Sequence, residues 1–221
     1  MLLIFRYSAM RGIGQCGNQK NAVVAGHLPV RSPLAGQSRG AYTGDMNLFE
    51  TIAKRRSVRS YLDKPVEREK IESIFSAVRL APSACNTQEW RFILVTDAKL
   101  RAEVAEAGGQ PFLKQCPVIV VACAITNRRV MRCGELAYPI DVALALDHLM
   151  LCAEAVGLGT CYIGNFDADM ARKALGIPHD VPVPALVALG YAADADKSGP
   201  AKQRLSIDEI MMENRWGEPL R

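Results

Sequence analysis

No apolar run in this 221-residue chain exceeds the eight residues from Val118 to Ile125. A membrane-spanning helix needs about 20, so no transmembrane span and no membrane partner are expected. Histidine is scarce: His27, His148 and His179 are the only three. None forms a Ser/His/Asp constellation at recognisable spacing, which leaves hydrolytic triad chemistry without support. Cysteine occurs seven times, an odd number, with no C-x-x-C pair and no His at ligand spacing. Neither a disulfide framework nor a metal site is suggested, and the chain reads as reduced and cytoplasmic.

Acidic residues are nearly missing from the first fifth. Residues 1–45 hold Arg6, Arg11, Lys20, Arg31 and Arg39 against Asp45 alone. With 27 basic and 23 acidic residues overall, the remaining 176 balance at 22 of each. The net charge of +4 therefore belongs to the preface, and the body is neutral. No stripe of alternating basic and aromatic residues marks the body, so nucleic acid is not an expected partner. The preface carries seven of the 17 glycines and lacks helical or strand periodicity. Its apolar start precedes the first Arg, the wrong order for a secretory signal. Residues 1–45 read as a poorly ordered basic extension, with Met46 the expected start of the folded domain, 46–221.

The body alternates helical and strand patterns. Asn47 followed by Glu50 resembles a capping box and opens a helix reaching about Arg55. Ile71, Ile74, Phe75 and Val78 share one face of a helix over Glu67–Leu80, which Pro82 ends. Trp90–Thr96 reads as a strand, followed by a helix that opens at Asp97 and closes before Gly108-Gly109, and the β-branched run from Val118 to Ile125 reads as a strand buried on both faces. Tyr138 to Val156 is apolar nearly all round, hence a long, central buried helix closed by Gly157 and Gly159. Thr160–Ile163, a helix from Asp167 to Gly176, and Ala185–Leu189 complete an α+β or α/β layer protein. Leu205–Asn214 is a short amphipathic piece that could be helical.

Four segments carry polar chemistry. Arg55-Arg56-Ser57-Val58-Arg59 can hold a phosphate bidentately, although cations at a helix C-terminus also simply complement its dipole. Pro82-Ser83-Ala84-Cys85-Asn86-Thr87-Gln88-Glu89 can approach a flat polar ring closely, or form an ordinary turn. Gly157-Leu-Gly-Thr160-Cys-Tyr-Ile163-Gly164 departs from a dinucleotide fingerprint in order and spacing; its glycines can turn backbone N–H groups toward a ligand. Lys202-Gln-Arg204 offers a second hand to the same phosphate.

In this order the four segments, with Asp141 near the start of the long helix, resemble the FMN-dependent nitroreductase family from Leu48 to Trp216. The resemblance implies an α+β fold with a central mixed or antiparallel sheet flanked by helices around a long buried helix. It implies an intertwined homodimer with FMN at the subunit interface. Arg55, Ser57, Arg59, Lys202 and Arg204 would hold the phosphate and ribityl chain, with Arg56 close by. Pro82, Ser83, Ala84 and Asn86 would reach the ring from the partner subunit, Ile163 and Gly164 would lie near its reactive edge, and Gln110 would contact the ring. The activity implied is ping-pong transfer from NADH or NADPH to a nitroaromatic, a quinone or a similar small electron acceptor. No side chain is assigned as an acid or base. The same family includes flavin-fragmenting enzymes and reductive dehalogenases, and a non-catalytic flavin-binding or sensing protein is a third class. Two positions depart from the usual pattern: Glu89 stands where Pro is common, and Tyr162 where Trp is often found.

Overall fold

Period-2 alternation in the most apolar strands divides the core between two faces of one sheet. The computed structural model describes residues 47–193 and 203–219. Its first helix, α1 (Leu48–Lys54), begins at Asn47, whose side chain accepts from the Glu50 amide. Then come α2 (Arg68–Val78), a 3₁₀ turn (Ala84–Asn86), β1 (Trp90–Val95), α3 (Ala98–Gly108) and a second 3₁₀ turn (Pro111–Gln115). β2 (Val118–Ala124), α4 (Ala137–Ala155), β3 (Gly159–Ile163), α5 (Ala168–Leu175), β4 (Ala185–Gly190) and a one-turn α6 (Ile207–Ile210) complete the chain. The expected helices and strands appear in the expected order, and the extension 1–45 lies outside the described residues.

The strand order is β1-β2-β4-β3 and every pairing is antiparallel. β2 lies inside the sheet, where all seven of its residues are buried. Val118, Val120 and Ala122 pack with Val187 and Leu189 toward Ile74, Val78 and the inner face of α4. Ile119, Val121 and Cys123 point the other way, toward Val104, Leu113 and Leu186. Helices thus cover both faces, which is why β2 and β4 read as continuous apolar runs although the sheet is antiparallel.

α4 buries Val142, Ala145, Leu146, Leu149 and Ala153 against the sheet. Its opposite side keeps Ile140 43% and Leu144 39% exposed, so the apolar character all round is only partly used within one chain. α2 stops at Val78, before Pro82, and its last turn tightens through Leu80 N–H donating to Ala77 O. The tail forms far less helix than the amphipathic pattern suggested. Ser206 and Glu209 cap each other, then Met211 turns extended and Met212 pairs back on Pro219. Among the described residues no helix is long and apolar enough to cross a membrane, and no His/Cys/Asp/Glu group could hold a metal ion.

Candidate functional site

The Arg-rich segment leaves α1 and is laid against the edge of the sheet. Val58 N–H donates to Thr160 O at 2.8 Å, and Ser57 forms a parallel bridge with Thr160 of β3. On its other side Leu62 N–H donates to Tyr191 O, Ala193 N–H donates to Ser60 O, and Tyr61 bridges Ala192. The approach to β3 is close enough to require glycine: a Cβ on Gly159 would lie 2.5 Å from Val58 Cγ2. Gly157 has a different task, closing the end of α4 at φ +78°. The two glycines thus have local packing and backbone reasons that the spacing alone did not distinguish.

This placement decides where the cations go. Arg55, half-buried, lines a cavity of about 420 Å³ with Ile52, Ala53, Asp147, Leu151 and Arg204. Two guanidiniums some 150 residues apart in sequence therefore face one space, with Asp147 the acidic member of its wall. Arg56, the next residue, lines a separate cavity of about 520 Å³ with Lys54, Glu154 and Tyr191. Arg59 is exposed and its Nη1 donates to Ser57 O at 3.5 Å. Lys202 lies outside the described residues. Ile163 is buried at the end of β3, with Gly164 exposed just beyond it. Three residues of extended chain from Thr160 put that strand end about 10 Å from Ser57.

The loop after α2 is elsewhere in the chain. Cys85, Asn86 and Gln88 take φ of +53°, +55° and +48°, a region that costs energy for any residue with a side chain. The loop holds them with its own hydrogen bonds: Gln88 N–H donates to Ser83 Oγ at 3.1 Å and Gln88 Nε2 to Asn86 Oδ1 at 3.2 Å. Arg91 Nη1 donates to Gln88 O, and Arg129 Nη1 lies 3.2 Å from Cys85 Sγ. Cys116, Cys123, Cys133, Cys152 and Cys161 have free thiols. Ala84 N–H donates to Asp141 Oδ1 at 3.0 Å, which ties the loop to the N-terminal part of α4. Leu151, beside the Arg55–Arg204 cavity, is ten residues further along α4, or about 15 Å. Within one chain, Pro82, Ser83, Ala84 and Asn86 do not line that cavity. Gln110, exposed after α3, does not line it either.

Several supporting residues carry no signal in the sequence. Asp147 and Leu151 look like ordinary positions of an apolar helix, and Arg91 and Arg129 like solvated cations. Their roles depend on neighbours far away in the chain. Glu89 is different, because its substitution for Pro was visible. Its Oε2 is buried without a hydrogen-bond partner among the described residues, while its carbonyl accepts from Ile125 N–H at 2.8 Å. A proline would keep that carbonyl, so strand pairing does not explain the acid.

The fold and the site together define an α+β protein with a cavity between α1 and α4 that Arg55 and Arg204 line, and a strained, tightly bonded loop at one end of its longest helix. The sequence model of the nitroreductase family matches residues 52–109 and 105–191. The chain is 31% identical over 191 residues to an NADH dehydrogenase of Thermus thermophilus, covering 72% of this chain and 92% of that protein. It is 32% identical over 172 residues to an FMN reductase [NAD(P)H] of Bacillus subtilis, covering 69% of each. Among solved structures, an FMN-dependent nitroreductase from Clostridium difficile superposes with a TM-score of 0.65 at 28% identity, covering 75% of this chain and 98% of that one. The chain belongs to the nitroreductase family.

Proposed function

We propose that this protein is an NAD(P)H-dependent flavin oxidoreductase that binds FMN and reduces a small acceptor such as a quinone or a nitroaromatic. The observation that carries the reading is the convergence of Arg55 and Arg204 on one cavity walled by α1 and α4. Two guanidiniums suit a phosphate, which each can grip with paired N–H donors. Ser57, fixed by its bridge to Thr160, adds a hydroxyl, Arg59 and Lys202 complete the proposed set, and Arg56 stands beside it, facing the neighbouring cavity. Pro82, Ser83, Ala84 and Asn86 would approach the ring from a second copy of the chain, with Ile163, Gly164 and Gln110 at its edge.

When bound, FMN would supply the redox chemistry that links NADH or NADPH to the acceptor, in the ping-pong order we propose. The residues of this chain bind and orient. Arg55 and Arg204 would hold the phosphate end, the peptide groups at Ile163 and Gly164 would lie at the ring edge, and the braced loop would limit the ring's freedom to shift. No side chain is needed as an acid or base.

A homodimer follows from the same reading. Leu48 and Phe49 of α1, Ile140 and Leu144 of α4, and Ile207 and Trp216 of the tail are all exposed large apolar residues. In the proposed dimer the partner copy would cover these residues. We place the protein in the cytoplasm, with residues 1–45 an addition that the flavin-binding domain, 46–221, does not need.

The deciding experiment is Arg55→Ala combined with Arg204→Ala. The unsubstituted protein should purify yellow, with flavin absorption and NAD(P)H-dependent bleaching. The double variant should fold, elute colourless and bind added FMN at least tenfold more weakly, each lost charged hydrogen bond being worth about 1.5–3 kcal/mol. A double variant that stays yellow would place the phosphate elsewhere. Flavin that NADH and NADPH both fail to bleach would leave a binding or sensing role.

A further inference from the structure

One buried ionisable side chain has no part in that scheme. Asp141, in the N-terminal part of α4, is only 3% exposed. Its Oδ1 accepts from Ala84 N–H at 3.0 Å, across 57 residues of sequence. Its Oδ2 is buried and has no hydrogen-bond partner among the described residues. Burying a polar side chain is costly unless it is fully hydrogen-bonded, and an apolar side chain of similar size would fill the space at lower cost. Packing alone therefore does not account for a hydrogen-bond acceptor here. What the acid does hold is the first N–H of the 3₁₀ turn Ala84–Asn86. Directly after it come Cys85 and Asn86, with Gln88 beyond, all at positive φ. Such conformations persist where their surroundings impose them. Ser83 and Gln88 brace the loop from within, and Asp141 is what joins its leading amide to a rigid helix.

We infer that Asp141 is a positioning residue, whose carboxylate, by accepting the Ala84 N–H, sets the geometry of the loop that faces the flavin. The inference rests on the proposal that this loop contacts FMN. Asp141 acts as a hydrogen-bond acceptor rather than through its charge. Asparagine can present the same oxygen to Ala84, and alanine cannot.

The test strips FMN from the purified protein and titrates it back, reading the dissociation constant and the absorption band shape of the bound flavin. Asp141→Ala should raise the dissociation constant about tenfold or more and change the band shape, since the part-buried Ala84 N–H loses its acceptor. Asp141→Asn should stay within about threefold of the unsubstituted protein and keep its spectrum. Ala84→Pro removes the same bond from the other side. Ser83, at φ −142° and ψ 153°, already has the extended backbone that a following proline demands, and the first position of a helical turn tolerates it. Adding Asp141→Ala to Ala84→Pro should then cost nothing further.

Asp141→Ala that melts earlier yet binds FMN with unchanged affinity and spectrum would show a structural role only and overturn the inference. Equal losses in the Asn and Ala variants would overturn the acceptor role. If Asp141→Ala does not fold, Ala84→Pro decides: unchanged affinity there also overturns it. An unsubstituted protein that takes up no FMN refutes the flavin reading itself, a result distinct from all of these.

Discussion

Gly159 and Glu67 illustrate how single residues control this protein. Gly159 has an ordinary strand backbone, so its identity is a matter of space. With Val58 only 3% exposed and its branched side chain stiff, an added Cβ must displace buried atoms. Gly159→Val should cost about 1–3 kcal/mol in urea unfolding, and Val58→Ala should recover part of that in the double variant. Glu67 shows a charge effect. The hydrogen bond from the Tyr191 hydroxyl is the main cause that holds its carboxyl down from 4.5 to about 2, with its own backbone N–H, Lys64 and Lys70 assisting. A carboxyl that is more acidic when folded stabilises the fold above its unfolded value and loses that contribution as pH falls. Unfolding followed between about pH 4.5 and 2 should therefore show a shallower loss of stability in Tyr191→Phe than in the unsubstituted protein.

At the scale of elements, caps and apolar faces carry most of the information. Asp97 and Asp167 accept from the first-turn amides of α3 and α5, and Gly109 and Gly176 close those helices at φ +59° and +65°. All four were readable because capping is local chemistry. The two 3₁₀ turns were not, since neither has a side-chain cap bond or a recurring apolar face. α4 is the element whose meaning changed. Its apolar circumference suggested complete burial, yet Ile140 and Leu144 face outward. In the proposed dimer that face is covered by the partner. Ile140→Asp with Leu144→Asp should yield a monomer by light scattering, and the monomer should have lost its flavin, because in that proposed dimer each site would draw on both copies. A variant that remains dimeric would place the interface elsewhere.

At the scale of the whole molecule, one antiparallel sheet with helices on both faces presents a single edge to the Arg-rich segment. The matched residues, 52–191, lie wholly within the neutral body. A chain begun at Met46 should accordingly fold with the same thermal midpoint and bind one FMN per chain, measured by absorbance after gel filtration. Loss of flavin on that truncation would assign the basic segment a part in the site.

Much of the candidate site was legible as residue types in order: guanidiniums with a serine, a small polar loop, a glycine-rich strand and a terminal Arg. Each was weak alone, and their order carried the family resemblance. Local rules, namely caps, prolines and the periods of apolar residues, were enough to determine the elements and their sequence along the chain. Which strands pair, that Arg55 meets Arg204 while Arg56 turns to another cavity, and that Asp141 reaches Ala84 were decided only by the tertiary structure. Those contacts join residues tens to more than a hundred positions apart. No local propensity specifies them, because they arise when two apolar faces of one sheet are buried together and the chain between is carried along.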